Sequence, residues 1–291
     1  MPVGADKRWS VEEVEALIKR TEDLVGIELT DLIGEYRRGV ASPTPPPREN
    51  VHRLVQLFVR IQDSASAEEG SLTDTLARVN TVELEGAISL FEEWLGTPVW
   101  GEFQTALRTT PEYPHAVSTL AVANALNVRH SSLEIIPSPT PGRSPDINLA
   151  ISETAGLKVE VKAPRALWQP NKHLTESEAI KLVDDAWDKA KAQLASDDLK
   201  RVSLLVIAGL TMSPDLVDRL TVAVEYWLSR KPRPTLFGIA LFNLAQGVKV
   251  IADRAEVSLQ QESRLRRNPA YGGKVQMMGT WESPWALYLI P

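Results

Sequence analysis

One succession of sequence patterns constrains the fold of this chain more than any other feature. It consists of three short β-type runs, followed by an amphipathic helix and a continuous apolar run. The three runs are SLEIIPS, DINLAIS and LKVEVKA, at residues 132–138, 146–152 and 157–163. Thr175 and Glu178 form a capping box that opens the helix, and the apolar run is Val202–Leu210. Such a run is typical of a strand covered on both faces. With an Ala- and Leu-rich helix predicted over Ala116–Leu126, the order is α-β-β-β-α-β, a mixed α/β fold class.

The first 110 residues are predicted to be entirely helical. Ser10 and Glu13 form a capping box, and apolar residues at helical spacing follow it as far as Gly39, with breaks expected at Gly26 and Gly34. Further helices are predicted over Val51–Ile61, Val82–Leu95 and Val99–Leu107. Residues 42–48 are rich in proline, which lacks an N–H donor, and are predicted to be an extended linker. We therefore predict a helical N-terminal domain at residues 1–110 and a second domain at residues 111–291.

The remainder of the second domain alternates between strand and helix signals. Glu153-Thr154-Ala155-Gly156 is predicted to connect the second and third β-type runs as a hairpin. The other predicted elements are a helix from Pro214 to about Ser229, strands over Leu236–Phe242 and Val248–Ile251, and a final apolar segment, Trp285–Ile290.

Composition excludes several classes of protein. The chain has 291 residues, of which 43% are hydrophobic and 24% charged, as in soluble globular proteins. It has no cysteine, which excludes disulfides and a thiolate nucleophile. The longest apolar stretch is too short to span a membrane, and the N-terminus is acidic rather than signal-like. We therefore expect a cytoplasmic protein with no membrane partner. The net charge of −6 argues against indiscriminate coating of nucleic acid.

The residues that suggest chemistry are Asp146 and, after 13 intervening residues, Glu160 and Lys162. Side chains alternate along a strand, so Glu160 and Lys162 point to the same face, and a hairpin would bring Asp146 beside them. Two carboxylates suit Mg²⁺, which polarises phosphoryl oxygens and acidifies bound water. This combination predicts phosphodiester hydrolysis. The alternative is that Glu160 and Lys162, together with Lys158, form only a solvated strand face.

Residues 144–164, SPDINLAISETAGLKVEVKAP, resemble the motif of the PD-(D/E)XK nuclease superfamily, which has the restriction-endonuclease-like fold. The core of that fold is α-β-β-β-α-β, with the Asp on its second strand and the E-x-K on its third. The resemblance implies that Asp146 and Glu160 are metal ligands, joined by the Val161 carbonyl, and that Lys162 positions the attacking water. It covers about residues 112–212, a third of the chain, and leaves the helical N-terminal part without a role.

Two further positions follow from the resemblance alone. Members often carry a Gln on the helix after the third strand, and Gln193 is its counterpart here. A Glu on the helix before the first strand is also common, but residues 116–127 contain none, so Glu102, Glu112 and Glu134 are the candidates for a fourth acidic ligand.

The function predicted is therefore a divalent-metal-dependent nuclease that uses Mg²⁺, with Mn²⁺ as a substitute, acts on DNA and forms a homodimer, as many members do. The alternative is a catalytically inactive nuclease-fold subunit that serves in binding or as a scaffold. The acidic total charge and the unassigned fourth ligand favour this second reading.

Other candidates are weaker. Four histidines, His52, His115, His130 and His173, are scattered without the spacing of a zinc site. Residues 264–274 contain Arg264, Arg266, Arg267 and Lys274 around Asn268, Tyr271 and Gly272-Gly273, and are predicted to be a basic loop that either contacts phosphates or is merely solvated. Arg165, Trp168 and Lys172 are further candidates for nucleic-acid contact, whereas Trp187 is predicted to lie in the core.

Overall fold

The computed structural model describes most of the chain. The described residues are 9–47, 50–65, 72–127, 133–135, 145–150, 156–169, 173–194, 201–210, 212–230, 233–244, 247–251, 254–258, 262–272, 276–278 and 288–290. Their helices are α1 (Val11–Val25), α2 (Leu29–Val40), α3 (Arg53–Ala65), α4 (Leu72–Trp94), α5 (Trp100–Leu107), α6 (Tyr113–Asn127), α7 (Glu176–Leu194) and α8 (Pro214–Arg230). Their strands are β1 (Leu133–Ile135), β2 (Ile147–Ala150), β3 (Gly156–Lys162), β4 (Arg201–Gly209), β5 (Leu236–Asn243), β6 (Gly247–Ile251), β7 (Arg254–Ser258), β8 (Glu262–Arg267), β9 (Gln276–Met278) and β10 (Tyr288–Ile290).

The chain divides into two compact units. One comprises Met1–Val117 and Gln246–Gln260, and the other comprises Ser118–Ala245 and Gln261–Pro291. This division falls within α6 rather than at residue 110, and it groups the antiparallel hairpin of β6 and β7 with the helical residues. In the described residues, no helix is both long enough and apolar enough to cross a membrane.

The helical unit follows the sequence pattern with two corrections. Ser10 and Glu13 form the predicted reciprocal cap at the start of α1, and Gly26 ends that helix in a left-handed conformation with φ of 70°. The break predicted at Gly34 is wrong, because α2 continues to Val40. Burial of Leu29 and Ile33 on one face of α2 offsets the cost of about 1 kcal/mol for a glycine in a helix. Helix α4 begins at Leu72 rather than at Val82.

The predicted order α-β-β-β-α-β is confirmed as α6, β1, β2, β3, α7 and β4. The hairpin pairing of β2 with β3 is also confirmed, although residues 153–155 of its predicted connector lie outside the described residues. Thr175 accepts the Glu178 N–H at 3.3 Å and its own N–H donates to the Glu178 carboxylate at 2.7 Å. This is the capping box predicted for α7.

A mixed six-stranded sheet organises the second unit. Its order is β1-β2-β3-β4-β5-β8. The β1–β2, β2–β3 and β5–β8 pairs are antiparallel, and β3, β4 and β5 run parallel. Parallel neighbours require a crossover connection, and α7 and α8 supply the two crossovers, from β3 to β4 and from β4 to β5.

The apolar core on one face of this sheet lies between β4, β5 and the two crossover helices. Leu205 and Ile207 of β4 pack in one cluster with α7 and α8. Trp187 of α7 belongs to it, as predicted, and its ring centroid lies 5.4 Å from that of Trp227 on α8. Glu160 and Lys162 of β3 are the cross-strand neighbours of Leu205 and Ile207. The polar residues of β3 therefore share a sheet face with this core.

The prediction of a basic loop at residues 264–274 is wrong in its first half. Arg264, Arg266 and Arg267 lie in β8, at one end of the sheet order. Arg264 pairs with Asp218 and Arg266 with Glu225, both on the exposed side of α8. The backbone pairing with β5 holds this strand along its length, and the two ion pairs add little because their carboxylates are exposed. A turn at residues 268–272 follows β8, and Gly273 and Lys274 lie outside the described residues.

Candidate active site

The register of the β2–β3 hairpin brings Asp146 next to Glu160. Ile147, the first residue of β2, is the cross-strand partner of Val159. The preceding residue, Asp146, therefore lies beside the following one, Glu160. The Asp146 N–H donates to Oε2 of Glu160 at 3.2 Å, which fixes this proximity. The structure thus places Asp146 and Glu160 side by side, as the hairpin predicted from the sequence implies.

Asp146 is held by the backbone of the neighbouring strand. Its Oδ2 accepts the Val161 N–H at 2.8 Å. Because β2 begins only at Ile147, this carboxylate takes the place of a backbone acceptor where the ladder ends. Asp146 is 2% exposed and Glu160 is 1% exposed. Burial of this kind requires hydrogen-bonded or charged partners, since an unsatisfied carboxylate in the interior is costly.

Lys162 supplies a positive charge to the pair. It is the last residue of β3, two positions after Glu160 and on the same face. Its ammonium group donates to Oε1 of Glu160, and the Lys162 side chain is 19% exposed. Glu160 thus receives a backbone N–H on one oxygen and an ammonium group on the other. The lysine is the most accessible member of the three.

The donor set fits a hard divalent cation. A carboxylate offers about four acceptor positions, so it can receive hydrogen bonds and bind a cation at the same time. Mg²⁺ is usually bound by only one or two carboxylates and completes its shell with water and substrate phosphate. Two carboxylates therefore suffice, although no group of three or more His, Cys, Asp or Glu side chains converges among the residues that the structure describes.

The Val161 carbonyl faces the same side of β3 as Asp146. In an antiparallel ladder the N–H and the C=O of one residue point to the same neighbouring strand. The Val161 N–H is donated to Asp146, so its carbonyl points toward that side as well. The ligand role that the resemblance implies for Val161 stays a prediction.

Gln193 is not brought to the carboxylates by any contact of the described residues. In the orientation that satisfies both ends of its amide, its nitrogen donates to the carbonyls of Lys189 and Ala190, at 2.8 and 3.1 Å. The next residue, Leu194, accepts the Ser203 hydroxyl at 3.1 Å. Ser203 is the cross-strand neighbour of Lys158, not of Glu160 or Lys162. The last turn of α7 thus lies beside the early part of β3.

The three candidates for a fourth acidic ligand are placed differently. Glu102 and Glu112 are exposed residues of the helical unit, and the Glu112 carboxylate accepts the Thr109 hydroxyl at 3.3 Å. Glu134 lies in β1, where its cross-strand partner is Asn148 of β2. Of the three, only Glu134 belongs to the sheet that carries Asp146 and Glu160.

The segment after β3 departs from the prediction at Trp168. Arg165 is exposed and opens a short 3-10 turn, Arg165–Trp168. Trp168 is only 8% exposed, so the prediction that its ring stacks on a base is not supported by its accessibility. The Leu167 carbonyl accepts the Leu210 N–H at 3.1 Å, which ties this turn to the end of β4. His130 and Lys172 lie outside the described residues.

The sequence pattern assigns no functional role to Lys158 or Asn148. The structure pairs these two residues across β2 and β3, and both are partly exposed. The alternation of the strand places Lys158 on the face of Glu160 and Lys162. The position of Asp146 beside Glu160 implies the register of the hairpin, and that register predicts that Asn148 pairs with Lys158.

Comparison of the chain with protein-family models, with curated proteins and with solved structures finds no match.

Proposed function

We propose that this protein is a divalent-metal-dependent nuclease that hydrolyses phosphodiester bonds in DNA. The observation that carries the proposal is the convergence of Asp146, Glu160 and Lys162 at one place on a sheet. Their contacts are the Asp146 N–H with the Glu160 carboxylate and the Lys162 ammonium group with the same carboxylate. Two carboxylates with an adjacent lysine suit metal-assisted hydrolysis, because the carboxylates can bind the ion and the ammonium group can stabilise negative charge.

The order of the elements supports the same proposal. Asp146 immediately precedes the second strand, and Glu160 and Lys162 lie on the third, between α6 and α7. This is the placement that the resemblance to the PD-(D/E)XK superfamily implies. We therefore propose that α6, β1, β2, β3, α7 and β4 form a restriction-endonuclease-like core.

The chemistry divides between the metal ion and the protein. A bound Mg²⁺ or Mn²⁺ ion would polarise the scissile phosphoryl group and lower the pKa of a bound water molecule. Asp146 and Glu160 would hold the ion, and the Val161 N–H keeps the Asp146 carboxylate in place. The Lys162 ammonium group has three donors. It can orient the water or stabilise the charge that develops on phosphate oxygens.

The burial of the carboxylates favours a second candidate function, an inactive nuclease-fold subunit that binds nucleic acid or serves as a scaffold. Asp146 and Glu160 are almost inaccessible, and Glu160 already receives an ammonium group from Lys162. A protein of this kind would keep the three residues for stability. It would bind DNA without cutting it.

The test is cleavage of supercoiled plasmid by purified protein in Mg²⁺, in Mn²⁺ and with a chelator. We expect cleavage with either metal, and a loss of about a hundredfold or more in Glu160→Gln and Lys162→Ala. Lys181→Ala is the matched control, because Lys181 is an exposed lysine of α7. Equal cleavage by Lys162→Ala and wild type would contradict the mechanism. Absence of cleavage together with DNA binding would establish the inactive candidate.

A further inference from the structure

Two stretches of the second unit are basic and contain no acidic residue. Residues 226–244 carry Arg230, Lys231 and Arg233, and residues 263–275 carry Arg264, Arg266, Arg267 and Lys274, without any Asp or Glu. Two of these arginines, Arg264 and Arg266, pair with carboxylates of α8. The two stretches together therefore carry more positive charge than these two ion pairs neutralise.

The turn after β8 joins the two stretches. Asn268 is buried, and its side-chain amide donates to the Arg233 carbonyl at 2.6 Å. Its backbone N–H donates to the Phe237 carbonyl at 2.8 Å. Arg267 is the last residue of β8 and immediately precedes Asn268, and Arg230 is the last residue of α8. The three arginines Arg230, Arg233 and Arg267 therefore lie at the end of the sheet where β5 begins.

Each of these three arginines lies over an aromatic ring. The guanidinium carbon is 5.1 Å from the ring centre for Arg230 over Tyr226, 5.8 Å for Arg233 over Trp187 and 5.3 Å for Arg267 over Phe237. The face of an aromatic ring attracts a guanidinium group, which limits the orientations of the side chain. A side chain held in this way loses less entropy when it binds a ligand. All three arginines are nevertheless exposed.

These arginines lie at the opposite end of the sheet from the candidate active site. Lys162 is the cross-strand neighbour of Ile207 on β4, and Ile207 is the neighbour of Leu241 on β5. The arginines lie at the other end of β5, which begins at Leu236. The rise of a strand separates Leu236 from Leu241 by about 17 Å. The two sites are therefore distinct surfaces of one unit.

The candidate active site lacks the charge that DNA binding needs. Asp146 and Glu160 carry two negative charges against the one positive charge of Lys162. Affinity for duplex DNA comes largely from Lys and Arg side chains that neutralise phosphates. A protein that acts on DNA with such a site therefore needs a basic surface elsewhere, and the three arginines supply one.

The chemistry of the three arginines favours phosphates over bases as their ligand. A guanidinium group binds a phosphate through two parallel hydrogen bonds. Trp187 and Phe237, the rings beneath two of the arginines, are buried and so offer no face on which a base could stack. Contacts made only to phosphates carry no sequence information. The surface is therefore expected to bind DNA of any sequence.

We propose that Arg230, Arg233 and Arg267 form a phosphate-binding surface for duplex DNA, separate from the candidate active site. The inference rests on the proposed action on DNA, but it concerns binding rather than hydrolysis. Charged residues on an edge strand also hinder pairing with another sheet, yet only Arg267 lies on β8. Arginines with a purely structural role would affect thermal stability and leave the salt dependence of DNA binding unchanged.

The experiment measures binding of two fluorescein-labelled duplexes of unrelated sequence by anisotropy, from about 50 to 200 mM salt. EDTA is present, so that the measurement reports the charges of the protein alone. Each single substitution, Arg230→Ala, Arg233→Ala or Arg267→Ala, should lower the slope of log K against log salt by about 0.9, and the triple variant by about 2.7. Affinity should fall by the same factor for both duplexes. Replacement of all three arginines by lysine should retain the wild-type slope.

The matched control is Arg219→Ala. Arg219 is an exposed arginine of α8, nearer the start of that helix, and donates to the Leu174 carbonyl at 2.6 Å. Its removal should leave the slope unchanged, and a fall equal to that of Arg230→Ala would overturn the assignment to this surface. Melting temperatures identify any alanine variant that fails to fold. Replacement of the same three arginines by glutamine, which removes the charge and keeps part of the apolar stem, then decides.

The outcomes separate this surface from the nuclease proposal. An unchanged slope in the folded triple variant, with wild type that cleaves plasmid, overturns the surface and leaves the nuclease function standing. A reduced slope in the triple variant, with wild type that never cleaves, supports the surface and contradicts hydrolysis. Wild type that binds neither duplex at low salt overturns the surface, and an acidic protein would then be the better candidate for its partner.

Discussion

The backbone N–H of Val161 donates to Oδ2 of Asp146 at 2.8 Å, so a residue proposed to bind metal also closes the end of the β2–β3 ladder. Asp146 precedes the first residue of β2, where no strand residue continues the pairing. Its carboxylate thus has a structural role and a proposed chemical role. The two roles can be separated by substitutions that keep one acceptor oxygen and remove the charge.

Asp146→Asn should therefore abolish cleavage and keep most of the stability, because the amide oxygen can still accept the Val161 N–H. Asp146→Ala removes the acceptor and leaves a buried N–H unsatisfied, at a cost of about 1–3 kcal/mol. Urea denaturation and plasmid cleavage of both variants would test this pair of expectations. Equal stability of the Ala and Asn variants would show that the hydrogen bond contributes nothing to folding.

The ion pair between Lys162 and Glu160 gives a second prediction. Glu160 is 1% exposed, so removal of the lysine charge in Lys162→Met leaves a buried carboxylate with less compensation. We expect destabilisation of up to about 3 kcal/mol. The double variant Glu160→Gln/Lys162→Met should recover part of that loss, because the buried charge is gone. A double-mutant cycle by urea denaturation measures the coupling, and a coupling near zero would mean that solvent already screens the pair.

Metal binding gives a third prediction, which does not depend on catalysis. A ligand that binds only the folded state stabilises it, by about 2.7 kcal/mol at one hundred times its Kd. Mn²⁺ should therefore raise the melting temperature of wild type, and the effect should disappear in Asp146→Asn and Glu160→Gln. Lys181→Ala should respond as wild type does. If the Asp146→Asn and Glu160→Gln variants are stabilised as much as wild type, the ion binds elsewhere.

The sequence was most informative where the contacts are local. The capping boxes Ser10–Glu13 and Thr175–Glu178 each lie within four consecutive residues, and both form as predicted. Asp146 and Glu160 are joined by a single hairpin, so the predicted pairing of two neighbouring strands sufficed to place them together, and the period of two along β3 sufficed for Glu160 and Lys162. These features depend on spacing in the chain and not on the packing of distant elements.

The sequence was least informative where distant elements determine the structure. Arg264 and Arg266 have the composition of a basic loop, but their partners Asp218 and Glu225 lie on α8, far earlier in the chain. The pairing of β5 with β8 is a second long-range contact. It needs a glycine at position 238, since a side chain there would clash with the Arg266 carbonyl. The burial of Trp168 likewise depends on packing that spacing alone does not reveal.

Gly26 and Gly96 offer a matched pair for a fourth prediction. Both have positive φ, 70° and 80°, so alanine at either position costs about 1–2 kcal/mol in backbone strain. At Gly26 a side chain would also collide with the guanidinium group of Arg108, whereas nothing lies within 4 Å at Gly96. Arg108 donates to the Val25 carbonyl at 3.0 Å and so satisfies one of the last carbonyls of α1.

We therefore expect Gly26→Ala to lose more stability than Gly96→Ala, by about 1 kcal/mol for the displaced Arg108 hydrogen bond. In an Arg108→Ala background the difference between the two glycine substitutions should vanish. Urea denaturation of the four variants measures this difference. Equal losses in the wild-type background would show that the Arg108 side chain moves aside without cost.

His52 gives the last prediction, a dependence of stability on pH. Its Nδ1 accepts the Leu54 N–H at 3.3 Å, so the neutral ring carries its proton on Nε2, which donates to the Leu107 carbonyl at 2.8 Å. Burial lowers the pKa of His52 below its usual 6.5, although the bond to Leu107 acts in the opposite direction. The folded state therefore favours the neutral ring.

Because the folded pKa is the lower one, His52 contributes its full stability above about pH 6.5 and loses it as the pH falls toward the folded pKa. Within that window the unfolded state binds more protons than the folded state, so the free energy of unfolding falls with falling pH, by at most about 1.4 kcal/mol per pH unit. Hydrogen exchange of the α3 amides, which begin at Arg53, reports the opening free energy of this region. His52→Ala should lower the protection of the α3 amides near pH 8 and remove the pH dependence of their opening free energy. His173→Ala, at an exposed position, should change neither quantity. A slope that persists in His52→Ala would assign the titration to another group.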